Sequence, residues 1–180
     1  MLMYKKSGFT IVELLIVIVV IAILATISIV AYNGIQVRAN NTATLNEAVA
    51  WRKLFEVYKA TYGSTPNVPY DTSYCLGSGF PSNSGGGNLP RCRDYGYNGA
   101  TGYLESDNAT LMTELAKVGA LPQSKKVPIN GTVGSYVNYL QSTASITVVI
   151  RGSSTQCPSP SVYSWDDGNG RLLCNINFSR

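Results

Sequence analysis

Residues 9–31 read FTIVELLIVIVVIAILATISIVA, 23 positions carrying a single charge, Glu13. At about 1.5 Å per residue a helix over this run spans ~34 Å, enough to cross a bilayer core. Lys5 and Lys6 lie just ahead of it and place the N-terminus in the cytoplasm, with the remainder outside. A cleavable secretory signal would have a shorter apolar stretch followed directly by a small-x-small site, and no such site stands near the end of this run. A plain signal anchor fits the length but leaves Glu13 unexplained.

An uncompensated carboxylate on the fifth residue of an apolar run costs roughly 2.5–3.5 kcal/mol on insertion scales, so it needs a partner. The neighbouring side chains offer no cation. Cleavage between Gly8 and Phe9 would supply one, a charged α-amine four residues upstream. On a helix that spacing brings carboxylate and terminus together, where the dipole also favours negative charge. In an assembly the same carboxylate could instead meet the amine of a neighbouring subunit, which would couple insertion to polymerisation.

Composition removes other classes of function. The 180 residues contain no histidine, which excludes Ser-His-Asp and Cys-His catalysis and every His-ligated metal site. Net charge is only +4, with no dense Lys/Arg cluster, so nucleic acid is not implied by charge. Charged residues make up 13% of the chain, a sparse surface that suits close packing of many copies and equally an ordinary extracellular protein.

The four cysteines, Cys75, Cys92, Cys157 and Cys174, form two pairs each 17 apart, without a CxxC. An even count in polar, Gly/Ser-rich surroundings favours disulfides made outside the cytosol. Three connectivities are possible. Cys75–Cys92 with Cys157–Cys174 is preferred because local loops close most readily, each bridge adding about 3 kcal/mol in the chain-entropy model.

Lys5-Lys6-Ser7-Gly8 followed by Phe9-Thr10-Ile11-Val12-Glu13-Leu14 resembles the leader and cleavage site of type IV prepilins and secretion pseudopilins. The resemblance implies a prepilin peptidase that cuts after Gly8 and methylates Phe9. It also implies that Glu13 is the glutamate that pairs with a terminal amine during assembly. Tyr32 and Arg38 fall where such pilins often carry Tyr and Arg, and the likeness of the helix extends to about residue 60. One departure is that no glycine or proline interrupts the apolar segment before Asn33-Gly34. A kink or melted stretch in a filament is therefore expected near residues 32–35, since glycine costs about 1 kcal/mol in a helix relative to alanine.

Beyond the apolar run, Leu45, Ala48, Trp51, Phe55, Tyr58 and Tyr62 follow steps of three and four, a stripe expected to pack on a sheet. Gly63-Ser64-Thr65-Pro66 stops the helix, giving a span of residues 9–62 and a length of ~80 Å. Residues 63–105, rich in Gly, Pro, Ser, Asn and Tyr, read as a surface loop pinned by Cys75 and Cys92. Ser84-Gly85-Gly86-Gly87 lacks the strand, helix and lysine of a phosphate loop.

Ser106 or Asp107 can cap a short helix with Leu111, Met112, Leu115 and Val118 inward and Gly119 at its close. This segment also bears a weak likeness to the second helix of several pilins. Alternation at Tyr136–Leu140 and Ile146–Ile150 reads as strands, and Ser161–Trp165 with Arg171–Phe178 as a final pair. Between them, Asp166-Asp167-Gly168-Asn169-Gly170 reads as a hairpin turn in preference to a calcium loop, there being no bidentate glutamate downstream. The Cys157–Cys174 closure resembles the disulfide-bounded C-terminal loop of many pilins.

The expected architecture is α+β: a leader at 1–8, a membrane or filament-core helix at 9–31, its amphipathic half at 32–62, and an antiparallel-sheet head at 63–180. No enzyme, metal or cofactor is expected. Ser124-Lys125 lacks S-x-x-K spacing, Glu105, Asp107 and Glu114 form no pair, and chance accounts for the sequons at Asn40, Asn108, Asn130 and Asn177.

The resemblance implies a pilus subunit held in the cytoplasmic membrane by a single pass, then polymerised with copies of itself into an extracellular filament. Its implied partners are the prepilin peptidase, the assembly platform and minor pilins. Attachment, surface motility and DNA uptake are the functions the family implies collectively. The alternatives are a secretion pseudopilin, a tip-located minor pilin and a membrane-anchored binding or enzymatic ectodomain.

Overall fold

The computed structural model describes residues 8–69, 72–80, 92, 108–123, 134–140, 143–152, 157–166 and 170–179. Along the chain run α1 (Ile11–Tyr62), β1 (Thr72–Cys75), α2 (Ala109–Ala116), β2 (Tyr136–Tyr139), β3 (Thr143–Arg151), β4 (Val162–Asp166) and β5 (Arg171–Ser179). Two compact units divide it, Met1–Ala39 and Asn40–Arg180.

In the second unit the strands make one antiparallel sheet, ordered β1-β2-β3-β5-β4. Strand alternation gives it two unlike faces. Val137 and Tyr139 of β2, Ala144, Ile146, Val148 and Ile150 of β3, and Leu172, Cys174, Ile176 and Phe178 of β5 form one face. They share a core with Leu45, Ala48, Trp51, Leu54, Phe55 and Tyr58 of α1. The helical stripe thus packs on the sheet as its spacing predicts. Tyr62 departs from it: the last residue of α1 is 52% exposed, its ring resting on Tyr58 with centroids 4.6 Å apart. The helix ends at Gly63, whose φ of 78° and N–H bond to the Lys59 carbonyl form a left-handed cap.

Several polar groups in this layer have partners. Glu47, on the same side of α1 as Trp51, accepts from Trp51 Nε1 at 3.3 Å and Ser135 Oγ at 3.0 Å. At the other end of the core, Tyr58 donates to Glu114 Oε2 at 2.7 Å. That carboxylate keeps the proton on the phenol and pushes its pKa up to about 12, while Lys117 and then Tyr58 hold the Glu114 carboxyl below its ordinary value. Asn41 works like a short piece of strand, donating from Nδ2 to Arg151 O (2.7 Å) and accepting from Arg151 N at Oδ1 (3.0 Å). Each such bond adds about 0.5–1.5 kcal/mol net and fixes the start of this unit's stretch of α1 to the end of β3.

On the opposite face a polar chain crosses four strands. Ser73 donates to Asn138, Asn138 to Thr147 and Thr147 to Asn175, at 2.6, 2.9 and 2.7 Å.

Several expectations change. Thr72–Cys75, read as part of a surface loop, is an edge strand in full register with β2, and Cys75, Leu76, Phe80 and Cys92 are buried. The cap of α2 is Asn108, which accepts from Leu111 N at 3.0 Å. Ser106 and Asp107 lie outside the described residues. The helix closes at Lys117, ahead of Gly119, and Gly119 passes so near Leu54 that an added Cβ would sit 3.1 Å from Cδ1. The second strand stops at Tyr139, leaving Leu140 exposed in the turn.

Cys75–Cys92 and Cys157–Cys174 are the pairings present, with Cα separations of 5.6 and 5.7 Å. Strands β4 and β5 flank the 166–170 segment as an antiparallel pair, with Gly170 at φ 75°. Positions 167–169, Ser124-Lys125, Glu105 and the Ser84–Gly87 stretch fall outside the described residues.

Candidate assembly site

Gly8, Phe9 and Thr10 precede the first turn of α1 and belong to no helix or strand. Nothing lies within 4 Å of a Cβ built on Gly8, and Phe9 is 80% exposed. The Gly8–Phe9 peptide therefore sits in open, irregular backbone immediately ahead of the helix. A proteolytic site needs that geometry, because a helical peptide would first have to unwind. Lys5, Lys6 and Ser7 fall outside the described residues.

The helix is started by Thr10. Its carbonyl accepts the first helical bond, from Leu14 N at 3.3 Å, and its Oγ1 accepts from Glu13 N at 3.2 Å. Glu13 reaches back, its Oε2 accepting from Thr10 N at 2.8 Å and Thr10 Oγ1 at 2.7 Å. Thr10-Ile11-Val12-Glu13 is thus a capping box, with two orphan donors satisfied reciprocally. This geometry places Phe9 just outside the helix and Glu13 on Thr10. Reading Glu13 for its charge alone overlooks Thr10, although the T-x-x-E pattern ahead of an apolar run is legible in the sequence.

After Glu13 the first unit is apolar on every side. From Ile11 to Ile29 the large apolar side chains are 48–86% exposed. The helix is long and apolar enough to cross a membrane. Thr26 and Ser28 return their hydroxyls to the Ile23 and Leu24 carbonyls, so neither presents an unsatisfied donor to the surroundings. Further on, Tyr32 is exposed and accepts from Gln36 Nε2 at 3.1 Å, Gly34 has open space around it, and Arg38 is exposed. Among the described residues no cluster of His, Cys, Asp or Glu could hold a metal ion.

A family model described as the prokaryotic N-terminal methylation motif matches residues 3–29. The same region lies in a chain that is 42% identical over 65 residues to the type IV wide pilus major component PilA4 of Thermus thermophilus. In its N-terminal methylation motif and in this aligned stretch the chain is similar to a type IV pilin. The alignment covers 34% of the present chain and 50% of its relative, so the chain spans about half the length of the curated relative it matches. No solved structure matches. The pilin-like chain carries its methylation motif on the segment that holds Gly8, Phe9, the capping box and the apolar helix. The motif and the apolar helix fit membrane anchoring.

Proposed function

We propose that this chain is a structural subunit of a type IV pilus, cut after Gly8 and polymerised through α1 into an extracellular filament. The observation that supports it best is the junction itself. An open Gly8–Phe9 peptide leads into a capped helix whose stretch as far as Ile29 is apolar all round but for one carboxylate. Such a cylinder has two stable surroundings, lipid or other copies of itself, and the carboxylate favours the second once an amine is available.

In this reading residues 1–8 are the leader, 9–31 the membrane and filament-core helix, 32–62 the amphipathic half, and 63–180 the head on the filament surface. The precursor crosses the cytoplasmic membrane once, N-terminus inside, where a prepilin peptidase cuts it and methylates Phe9. An assembly platform and minor pilins then hand it to the filament, where Glu13 meets the Phe9 amine of a neighbour. Attachment, twitching motility and DNA uptake are the roles open to such a filament. Two disulfides and a substantial head favour a pilus over a secretion pseudopilus.

Immunogold labelling with antibodies raised against the head tests this. Label is expected along the whole length of surface filaments, and cells deleted for the chain should lose those filaments. Label confined to filament tips or to the cell envelope would replace the proposal with a tip pilin or an anchored ectodomain.

A further inference from the structure

The two disulfides join cysteines 17 apart in sequence, but they sit in unlike surroundings. Cys75 and Cys92 are both fully buried, packed with Phe80 and Tyr136. Cys174 is also fully buried, in the layer between α1 and the sheet. Its partner Cys157 is only half-buried and leads into Pro158, Ser159 and Pro160, all exposed. One bridge is thus sealed at both ends, and the other is open at one. Thiol–disulfide exchange needs a thiolate to reach a sulfur of the bond, so access at Cys157 decides which bridge reacts. The departing sulfur is buried in either case, which slows both bridges alike.

The open bridge also fastens a strand. β4 lies at the edge of the sheet and pairs with β5 alone among the described strands, through a ladder that shifts register between Tyr163 and Trp165. A short, disrupted edge ladder is a weak hold. Cys157 supplies a second one, tying the chain just ahead of β4 to Cys174, which stands between Tyr163 of β4 and Val148 of β3 in the sheet register.

We propose that Cys157–Cys174 is a redox latch on β4, opened by a dithiol reductant while Cys75–Cys92 stays closed. A thiolate of the dithiol attacks Cys157 Sγ, the S–S bond breaks, and its electron pair leaves on Cys174 Sγ, which takes up a proton. The second thiol of the reductant, losing its proton, then displaces Cys157 as a thiolate that is protonated in turn. The dithiol ends as a disulfide, and the protein's bridge has become two thiols. β4 keeps its ladder to β5 but loses its tether.

The full chain in detergent is treated with dithiothreitol under native conditions and quenched at intervals with an alkylating reagent, and peptide mass spectrometry gives the rate at each cysteine. Cys157 and Cys174 are expected to be alkylated about tenfold faster than Cys75 and Cys92, or more, since a sealed bridge reacts only when its surroundings open. In denaturant that preference should vanish or reverse, because Arg91 and Arg93 flank Cys92 and favour its thiolate. Hydrogen exchange on the selectively reduced chain should rise across Val162–Asp166 and stay unchanged across Tyr136–Tyr139. Equal native rates, or Cys75–Cys92 opening first, would overturn the proposal, as would a chain that is reduced only once it unfolds. A preference for Cys157–Cys174 that persists in denaturant would place the cause in local sequence and sink the argument from burial. Selective reduction with exchange of β4 unchanged would show that the bridge fastens nothing, and the latch fails.

Discussion

Glu13→Ala is expected to yield a protein that inserts, is cut after Gly8, and almost never appears in filaments. The two effects have opposite signs. Removing the carboxylate makes α1 a better membrane helix, by roughly 2.5–3.5 kcal/mol on insertion scales. In the filament it leaves the amine of Phe9 buried without its counter-charge, which costs about 2–5 kcal/mol at each contact between copies. Polymerisation repeats that loss at every subunit, so even the lower figure empties the filament pool. Quantifying membrane-bound mature chain against sheared filament protein checks it. A variant that piles up uncut in the membrane would mean that Glu13 serves recognition by the peptidase, and one that assembles normally would remove the site altogether.

Phe55→Ala is the expected large effect in the second unit. Phe55 is fully buried on α1, with its ring centroid 5.0 Å from that of Phe178 on β5 and 6.0 Å from that of Tyr139 on β2. It therefore joins the helix to two different strands. Truncating a buried phenylalanine to alanine typically costs 3–5 kcal/mol, from lost transfer energy and the cavity left behind. Denaturant unfolding of the detergent-solubilised full chain, followed by Trp fluorescence, should show a loss of about that size, because Trp51 lies one turn away in the same core. A change below about 1 kcal/mol would mean that the neighbouring side chains collapse into the space. Phe9, 80% exposed, has no comparable packing within its own chain, and Phe9→Ala should leave that unfolding curve unmoved.

How far the fold could be read from residues follows from where each element's information lies. The stripe from Leu45 to Tyr58 and the stop at Gly63 are properties of contiguous residues, and periodicity and φ preference suffice to find them. The Ile146–Ile150 part of β3 and the pairing of β4 with β5 are legible for the same reason, as β-prone runs bounded by turn residues, whereas the pairing of β3 with β5 is held by neither segment alone. Thr72–Cys75 is different: four residues without apolar alternation become a strand only because Tyr136–Tyr139 pairs with them, a fact held by the partner and not by the segment. At α2 the sequence offers three successive capping residues, Ser106, Asp107 and Asn108, and local chemistry cannot rank them. Tyr62 continues the heptad-like spacing but falls on the last turn, where the sheet no longer covers the helix face.

The assembly site shows the same division. Glu13 stands out because a charge in an apolar run demands an explanation from energy alone. Thr10 is as readable, yet it is overshadowed: the search for a counter-charge to Glu13 leads past an uncharged neighbour that supplies two hydrogen bonds. Glu47 marks the converse case. It lies between Leu45 and Ala48 on a helix with many polar residues; Trp51 is one turn away, but its burial against Ser135 depends on a contact 88 residues apart in the chain.

In the proposed filament, assembly turns on one event, the creation of an amine at Phe9 that α1 can use. Mass spectrometry of the N-terminal peptide from subunits of sheared, purified filaments tests it most directly. The peptide is expected to begin at Phe9, with its amine methylated, and the intact leader to be found only on chains remaining in the membrane. Filaments whose subunits retain Met1–Gly8, or a chain found only uncut and monomeric, would contradict it.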